Sequence, residues 1–202
     1  MPKREDINKI LIIGSGPIMI GQACEFDYSG TQACKALREM GYEIVLVNSN
    51  PATIMTDPDM ADKTYIEPLN AKRIEQIIEK EKPDALLPNL GGQSALNLCA
   101  ELEKGGVLKK HDIRVIGVRP DAITRGENRI EFKNTVAELG IEMPQSAVAY
   151  SVEEAVKVAE RLEYPVVLRP AYTMGGFGGG LVYNVEELRE VALRGLSVSL
   201  VG

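Results

Sequence analysis

Residues 10–16 read Ile10-Leu11-Ile12-Ile13-Gly14-Ser15-Gly16. An unbroken run of branched apolar residues that stops at a glycine turn is the pattern of a strand buried on both faces, because a strand with one wet face alternates. Working outward, the same kind of unit returns. Thr31 to Met40 reads as a helix, with Ala33, Leu37 and Met40 on one side and Gly41 as its stop. Glu43–Val47 is a second strand, and Ala71–Lys80 a helix with Ile74, Ile77 and Ile78 inward. Ala85–Leu87, a helix over 93–104 and the short strand Arg114–Ile116 follow. This alternation predicts an α/β fold, a Rossmann-like parallel sheet with helices on both faces. Asn48 to Asp62 is dense in Asn, Pro, Thr and Asp and reads as a long loop, a kind that is often functional when it follows a buried strand.

The pattern changes near residues 118–128. Pro120 opens a short helical turn that Gly126 interrupts, and a charged helix runs from Glu127 to Leu139 with Gly140 behind it. Ser151-Val152-Glu153-Glu154 is a capping box and starts a helix carrying Ala155, Val156, Ala159 and Leu162. Pro165–Leu168 reads as a strand, Gly175–Gly180 as a glycine loop, Leu181–Tyr183 as a return strand, and Asn184-Val185-Glu186-Glu187 as the start of a last helix. The expected division is a sheet domain over residues 1–126 and a second domain over 127–202. Two or three strands are few for an independent core, so the second is expected to be incomplete.

Composition bounds the function. The 202 residues are 45% apolar and 26% charged, with no Trp, which describes a globular protein with an aliphatic core. A net charge of −6 works against binding nucleic acid. No apolar run approaches a membrane span, and Glu5 and Asp6 spoil an export signal. Cys24, Cys34 and Cys99 form no C-x-x-C pair, which predicts core thiols in a reducing compartment, the cytoplasm. His111, in Lys109-Lys110-His111-Asp112, reads as part of a solvated turn, and no cluster of acids, His or Cys has metal-ligand spacing.

Several stretches are candidates for chemistry. Gly14-Ser15-Gly16 suggests a nucleotide-binding turn, but Met19 stands where a third glycine belongs and the second strand ends in Asn48 rather than an acid, which argues against NAD. Gly175-Gly176-Phe177-Gly178-Gly179-Gly180 puts five glycines in six residues between two strands. A backbone that free can close its amides on a phosphate, as a hairpin flap would. It is not a Walker A loop, and a plain flexible hairpin is the bland alternative. Arg169, between the strand and Pro170, is expected on the face opposite Leu168, held rigidly enough for bidentate phosphate contact. Arg129, on the front of a charged helix, reads by itself as a solvated residue. Glu153, Glu154, Glu186 and Glu187 are explained by helix first turns, and Asp57 and Asp59 by a turn around Pro58. No catalytic acid–base pair stands out.

Longer motifs carry a resemblance. Gly14-Ser15-Gly16-Pro17-Ile18, the run from Ile20 to Gly30, Asn48-Ser49-Asn50-Pro51-Ala52-Thr53-Ile54-Met55-Thr56-Asp57, Gly91-Gly92-Gln93 and Arg169-Pro170 with Thr173-Met174-Gly175-Gly176 and Gly178-Gly179-Gly180 resemble the start of the carbamoyl phosphate synthase large chain. The Ala52-Thr53-Ile54-Met55 loop and the all-glycine end of the flap resemble the first of that family's two synthetase halves, the one that activates bicarbonate. The resemblance implies a pre-ATP-grasp domain followed by the beginning of an ATP-grasp domain. It implies an ATP-dependent carbon–nitrogen ligase: ATP phosphorylates bicarbonate to carboxyphosphate, ammonia gives carbamate, and a second ATP gives carbamoyl phosphate for arginine and pyrimidine synthesis. It implies ATP-binding roles for Arg129, Arg169, Gly175 and Gly176, and ATP with Mg2+ or Mn2+ held by residues beyond 202. The implied partners are a glutamine amidotransferase small subunit and the remainder of the large chain, in an oligomer, and the 202-residue segment by itself is expected to be inactive. Another ATP-grasp ligase, such as a biotin carboxylase, or a non-catalytic interaction module are the competing expectations.

Overall fold

The computed structural model describes residues 3–17, 25–170 and 178–198. By its internal contacts the chain forms two compact units, one reaching to Leu139 and one from Gly140 onward.

The first unit is built on β1 (Lys9–Ile13), β2 (Glu43–Asn48), β3 (Lys63–Ile66), β4 (Ala85–Leu87) and β5 (Arg114–Val115). All pair in parallel, in the order β3-β2-β1-β4-β5, with Leu11 opposite both Val45 and Leu86. Helices α1 (Glu25–Glu39), α2 (Ala71–Glu81), α3 (Gly92–Lys104), α4 (Val107–Lys110), α5 (Pro120–Glu127) and α6 (Arg129–Glu138) complete it. Successive strand residues point to opposite faces, so β1 divides between two cores. Leu11 and Ile13 join Val45, Val47 and Leu86 under Ile74, Ile77 and Ile78 of α2 and Ala95, Leu98 and Leu102 of α3. Ile10 and Ile12 join Ile44 and Leu46 under Cys34 of α1 and Met55. Every one of these strand residues is at most 1% exposed. The expected parallel sheet with helices on both faces is therefore present.

The details differ in instructive ways. The first helix begins at Glu25 rather than Thr31. The long loop contains a 3-10 turn over Ile54–Thr56 and ends in β3, a strand that the apolar pattern does not reveal. Lys63-Thr64-Tyr65-Ile66 has the composition of a strand, but its partly exposed edge position gives it no buried run to announce it. Gly126 does not interrupt α5, where Pro120 occupies the first turn and the backbone continues to Glu127. Cys34 and Cys99 are fully buried, and burial pushes both thiols up to about 11. Cys24 lies outside the described residues.

The second unit holds α7 (Val152–Leu162), β6 (Val166–Leu168), β7 (Gly180–Val182) and α8 (Val185–Val198). Strands β6 and β7 are antiparallel, with Val167 opposite Leu181. Ala159 of α7, Val182 of β7 and Leu188 and Ala192 of α8 form its small core. Both helices start as their sequences predict. Ser151 Oγ accepts from Glu154 N at 3.1 Å and Asn184 Oδ1 from Glu187 N at 2.9 Å. In each case the glutamate reaches one residue further back than a standard capping box, to the N–H of Tyr150 and of Tyr183.

Among the described residues no helix is long and apolar enough to cross a membrane.

Candidate functional site

In a parallel sheet the loops at the carboxyl ends of the strands carry ligand chemistry, because the strands end there together and the helices begin. In the first unit the described residues at the ends of β1 and β2 are tied to one another there. Gly14 N donates to Val47 O at 2.8 Å, and Gly16 N donates to Asn48 Oδ1 at 3.0 Å. Asn48, fully buried, also accepts from Asn50 N. A Cβ on Gly14 would stand 2.7 Å from the Asn48 side chain. The residue whose identity argued against NAD therefore has a structural role, tying the turn after β1 to the end of β2. The 48–62 loop is also fastened. Asp27 accepts from Ile54 N and Met55 N through its two oxygens, both at 3.2 Å. Met55 is wholly buried, and a Cβ on Gly30 of α1 would lie 2.3 Å from its Cε. Asp59 N donates to Asp57 Oδ1, the turn role expected for that pair. Sequence reasoning missed Asp27. It sits in a helix of mixed polarity, and no local pattern announces a contact across that distance in the chain.

Arg129 opens α6 and is exposed. Asn128 caps the helix, its Oδ1 accepting from Ile130 N and Glu131 N. No residue of α6 is buried, and Ile130 and Phe132 are both more than two-fifths exposed.

In the second unit, β6 and β7 have one covered and one open face. Val166, Leu168 and Val182 turn toward α7 and α8. Val167, Leu181 and Tyr183 are 64%, 50% and 63% exposed. Arg169 follows β6 directly and is exposed. The glycines that follow divide into two groups. Gly178 has φ +76, and a Cβ there would lie 2.6 Å from Val198 Cγ2. A Cβ on Gly179 would lie 2.6 Å from Leu168 O, and one on Gly195 of α8 3.2 Å from Gly178 O. These glycines are required by packing within the unit. Gly175 and Gly176 lie outside the described residues. Glu153, Glu154, Glu186 and Glu187 occupy the first turns of α7 and α8. Among the described residues the one grouping of metal-ligand type is Glu75, Glu79 and His111, in the first unit.

A family model described as the carbamoyl phosphate synthase preATP-grasp domain matches residues 6–125, and one described as the carbamoyl-phosphate synthase L chain, ATP binding domain, matches residues 128–202. The chain belongs to the carbamoyl phosphate synthase large-chain family. It is 61% identical over 201 residues to the carbamoyl phosphate synthase large chain of Archaeoglobus fulgidus, and 63% identical over 190 residues to the N-terminal section of the large chain of Aquifex aeolicus. These matches cover 100% and 94% of this chain but only 19% and 34% of those proteins. In fold it resembles the biotin carboxylase domain of the Hydrogenobacter thermophilus 2-oxoglutarate carboxylase, solved with MgADP, ADP and bicarbonate. That match has a TM-score of 0.70 at 23% identity and covers 96% of this chain and 42% of that one. The pre-ATP-grasp fold expected from the motifs, and the family itself, are thus established. The family models meet between residues 125 and 128, whereas the contacts of this chain group α6 with the first unit.

Proposed function

We propose that this chain supplies part of the ATP site of the bicarbonate-activating half of a carbamoyl phosphate synthase. In this reading residues 1–126 act as the pre-ATP-grasp domain and 127–202 as the beginning of the ATP-grasp domain. The observation that supports the reading is the exposure of Val167 and Leu181, paired across β6 and β7, and of Arg169, the residue that follows β6. An apolar strand surface suits a purine ring or ribose, and a guanidinium at its edge suits a phosphate by paired N–H donors. Gly175 and Gly176, in the connection between the two strands, would bring backbone amides over the same phosphates. Arg129 would act as a second phosphate-contacting arginine.

The reaction follows the family. ATP phosphorylates bicarbonate to carboxyphosphate, ammonia from glutamine converts it to carbamate, and a second ATP-dependent step elsewhere in the protein yields carbamoyl phosphate for arginine and pyrimidine synthesis. A divalent cation, Mg2+ or Mn2+, neutralises phosphate charge when bound. The glutamates of the second unit's capping turns are engaged with backbone N–H groups and are poorly placed as its ligands. The family implies a glutamine amidotransferase small subunit and the rest of the large chain as partners, an oligomeric assembly and a cytoplasmic setting, and we adopt these for this chain. The biotin carboxylase reading is not favoured. Those structures share the fold at 23% identity, whereas relatives above 60% identity are carbamoyl phosphate synthases.

The test is a titration of the isotope-labelled 202-residue chain with Mg-ATP, followed by amide chemical shifts. Shifts should concentrate at Arg169, Leu181 and residues 175–180, and an Arg169→Lys variant should bind about tenfold more weakly, because a paired contact becomes a point contact. Shifts confined to other segments, or unchanged affinity in the variant, would refute the assignment.

A further inference from the structure

The first unit carries a side-chain cluster that the ATP reading does not use. Glu75 and Glu79 are four residues apart on α2, which aligns their carboxylates on one face of the helix. His111 follows the last turn of α4 and brings its imidazole to the same place. The three ligand atoms lie within 4.8 Å of one another. His111 Nε2 is 3.8 Å from Glu75 Oε1 and 3.9 Å from Glu79 Oε1, too far for a hydrogen bond to either. Yet that nitrogen is shielded from solvent and, among the described residues, has no hydrogen-bond partner. The same two carboxylate oxygens already converge on a cation, since Lys110 Nζ stands 2.8 Å from Glu75 Oε1 and 3.3 Å from Glu79 Oε1.

We propose that Glu75, Glu79 and His111 form a binding site for one divalent transition-metal ion of the zinc class, which takes the place of the Lys110 ammonium. The donor set is one imidazole nitrogen and two carboxylate oxygens, a combination that suits zinc and leaves a fourth position for water. Bonds of about 2.0–2.2 Å set tetrahedral ligand atoms about 3.3 Å apart, so each carboxylate must approach the histidine by about half an ångström from 3.8 and 3.9 Å, and the two carboxylates, within 4.8 Å of each other, must close by at most about 1.5 Å. Lys110 is 58% exposed on a flexible stem and can withdraw into solvent. Access exists, because His111 and Glu79 line an open surface cleft together with Ile78, Pro83 and Asp84. Magnesium, which favours an octahedral set of oxygens and retains its waters, is a poor match. The cluster adjoins Asp84, at the start of β4, and so lies toward the amino-terminal edge of the sheet, away from the Gly14–Gly16 turn. The proposal does not depend on the ATP reading.

The rival account is that Lys110 is the permanent cation and the histidine is merely packed. Calorimetric titration of the chelator-treated 202-residue chain with zinc chloride separates the two. The expected result is one saturable zinc site, silent to magnesium chloride, that weakens about tenfold or more in His111→Gln and tightens in Lys110→Met, where the competing ammonium is gone. Lys110→Met removes no proposed ligand, so it decides the matter even if His111→Gln fails to fold by circular dichroism. Zinc binding that is unchanged in His111→Gln would assign the metal to other groups, such as the thiols, and overturn the proposal. No saturable binding below about 1 mM zinc in either wild type or Lys110→Met would overturn it outright.

Discussion

Glu81, the last residue of α2, is a buried carboxylate at the foot of the sheet, and replacing it by glutamine tests how much the first unit depends on it. Its side chain is 2% exposed. It accepts from Lys63 Nζ at 2.8 Å and from the Tyr65 hydroxyl, and Lys9 Nζ lies 3.7 Å away. A hydrogen bond to a charged group contributes about 1.5–3 kcal/mol, so two of them set an upper bound of about 3–6 kcal/mol. That bound must be discounted. Lys63 is half exposed and Lys9 keeps Glu43 at 2.9 Å, so both ammonium groups retain water or a partner, and the glutamine oxygen can still accept from Tyr65. About 2 kcal/mol is the expected loss. The assay is native-state hydrogen exchange at the amides of Leu11, Val45 and Leu46, which open with the sheet and report the first unit separately from the second. A loss of about 2 kcal/mol means exchange about thirtyfold faster in the variant, by the tenfold per 1.4 kcal/mol relation. The effect also has a sign in pH. Burial by itself raises the carboxyl pKa, but the bonds from Lys63 and Tyr65 and the charges of Lys63 and Lys9 outweigh it, and the net shift is down. A depressed folded-state pKa contributes stability above the ordinary value near 4.5 and loses it as pH falls through the lowered one. The ratio of variant to wild-type exchange should be constant from about pH 5 to 8 and shrink below about pH 4.5. A ratio under about threefold at neutral pH, or one that grows on acidification, would refute this account of Glu81.

Two further outcomes follow from packing. Gly91→Ala places a methyl carbon 2.3 Å from Ile13 O, 2.5 Å from Ala95 Cβ and 2.7 Å from Gly14 O. The φ of −100 at Gly91 is open to any residue, so the loss is steric: about 2–3 kcal/mol of first-unit stability, read as a lower urea midpoint with an unchanged slope, and a midpoint within error of wild type would show that the backbone yields freely. Cys34 and Cys99 should resist iodoacetamide at pH 8 in the folded chain and react once urea unfolds it, because thiols pushed up to about 11 hold about one thiolate in a thousand at that pH. Peptide mapping by mass spectrometry checks this, and labelling of either residue in the folded chain at the rate of a free thiol would contradict it.

How much is legible in the sequence depends on whether a feature is local. The strands β1, β2 and β4 announce themselves because burial on both faces forces unbroken apolar runs, and their residues are indeed at most 9% exposed apart from the strand starts. Helix starts at Ser151 and Asn184 are legible because a cap is a pattern of four consecutive residues. The β3 strand, half exposed at an edge, has no such signature. Asp27, His111 and Asn48 show the harder limit, since each acts across long stretches of chain. Asn48 can be read as a departure from a dinucleotide fingerprint, but its bond to Gly16 N belongs to the folded turn. His111 reads as a solvated turn residue because its neighbours are Lys110 and Asp112, and its proximity to Glu75 and Glu79 is created only when α4 meets α2.

The glycine run shows how structure can sharpen a motif without abolishing it. Five glycines in six residues invite a single explanation, a backbone kept bare for phosphate. The described part of the run supports a different cause for its second half. Gly178 is in a left-handed conformation against Val198, Gly179 sits over the carbonyl of Leu168, and Gly195 of α8 answers Gly178 across the contact. These three glycines let a short hairpin pack directly on its helix, and substituting them should disturb folding before it disturbs any ligand. In the function proposed above, ligand approach falls to Gly175 and Gly176, together with exposed Arg169. A loss of nucleotide binding in a Gly178 or Gly179 variant would therefore say little about phosphate contact. The same loss in a well-folded variant at Gly175 or Gly176 would locate the contact in the first half of the run.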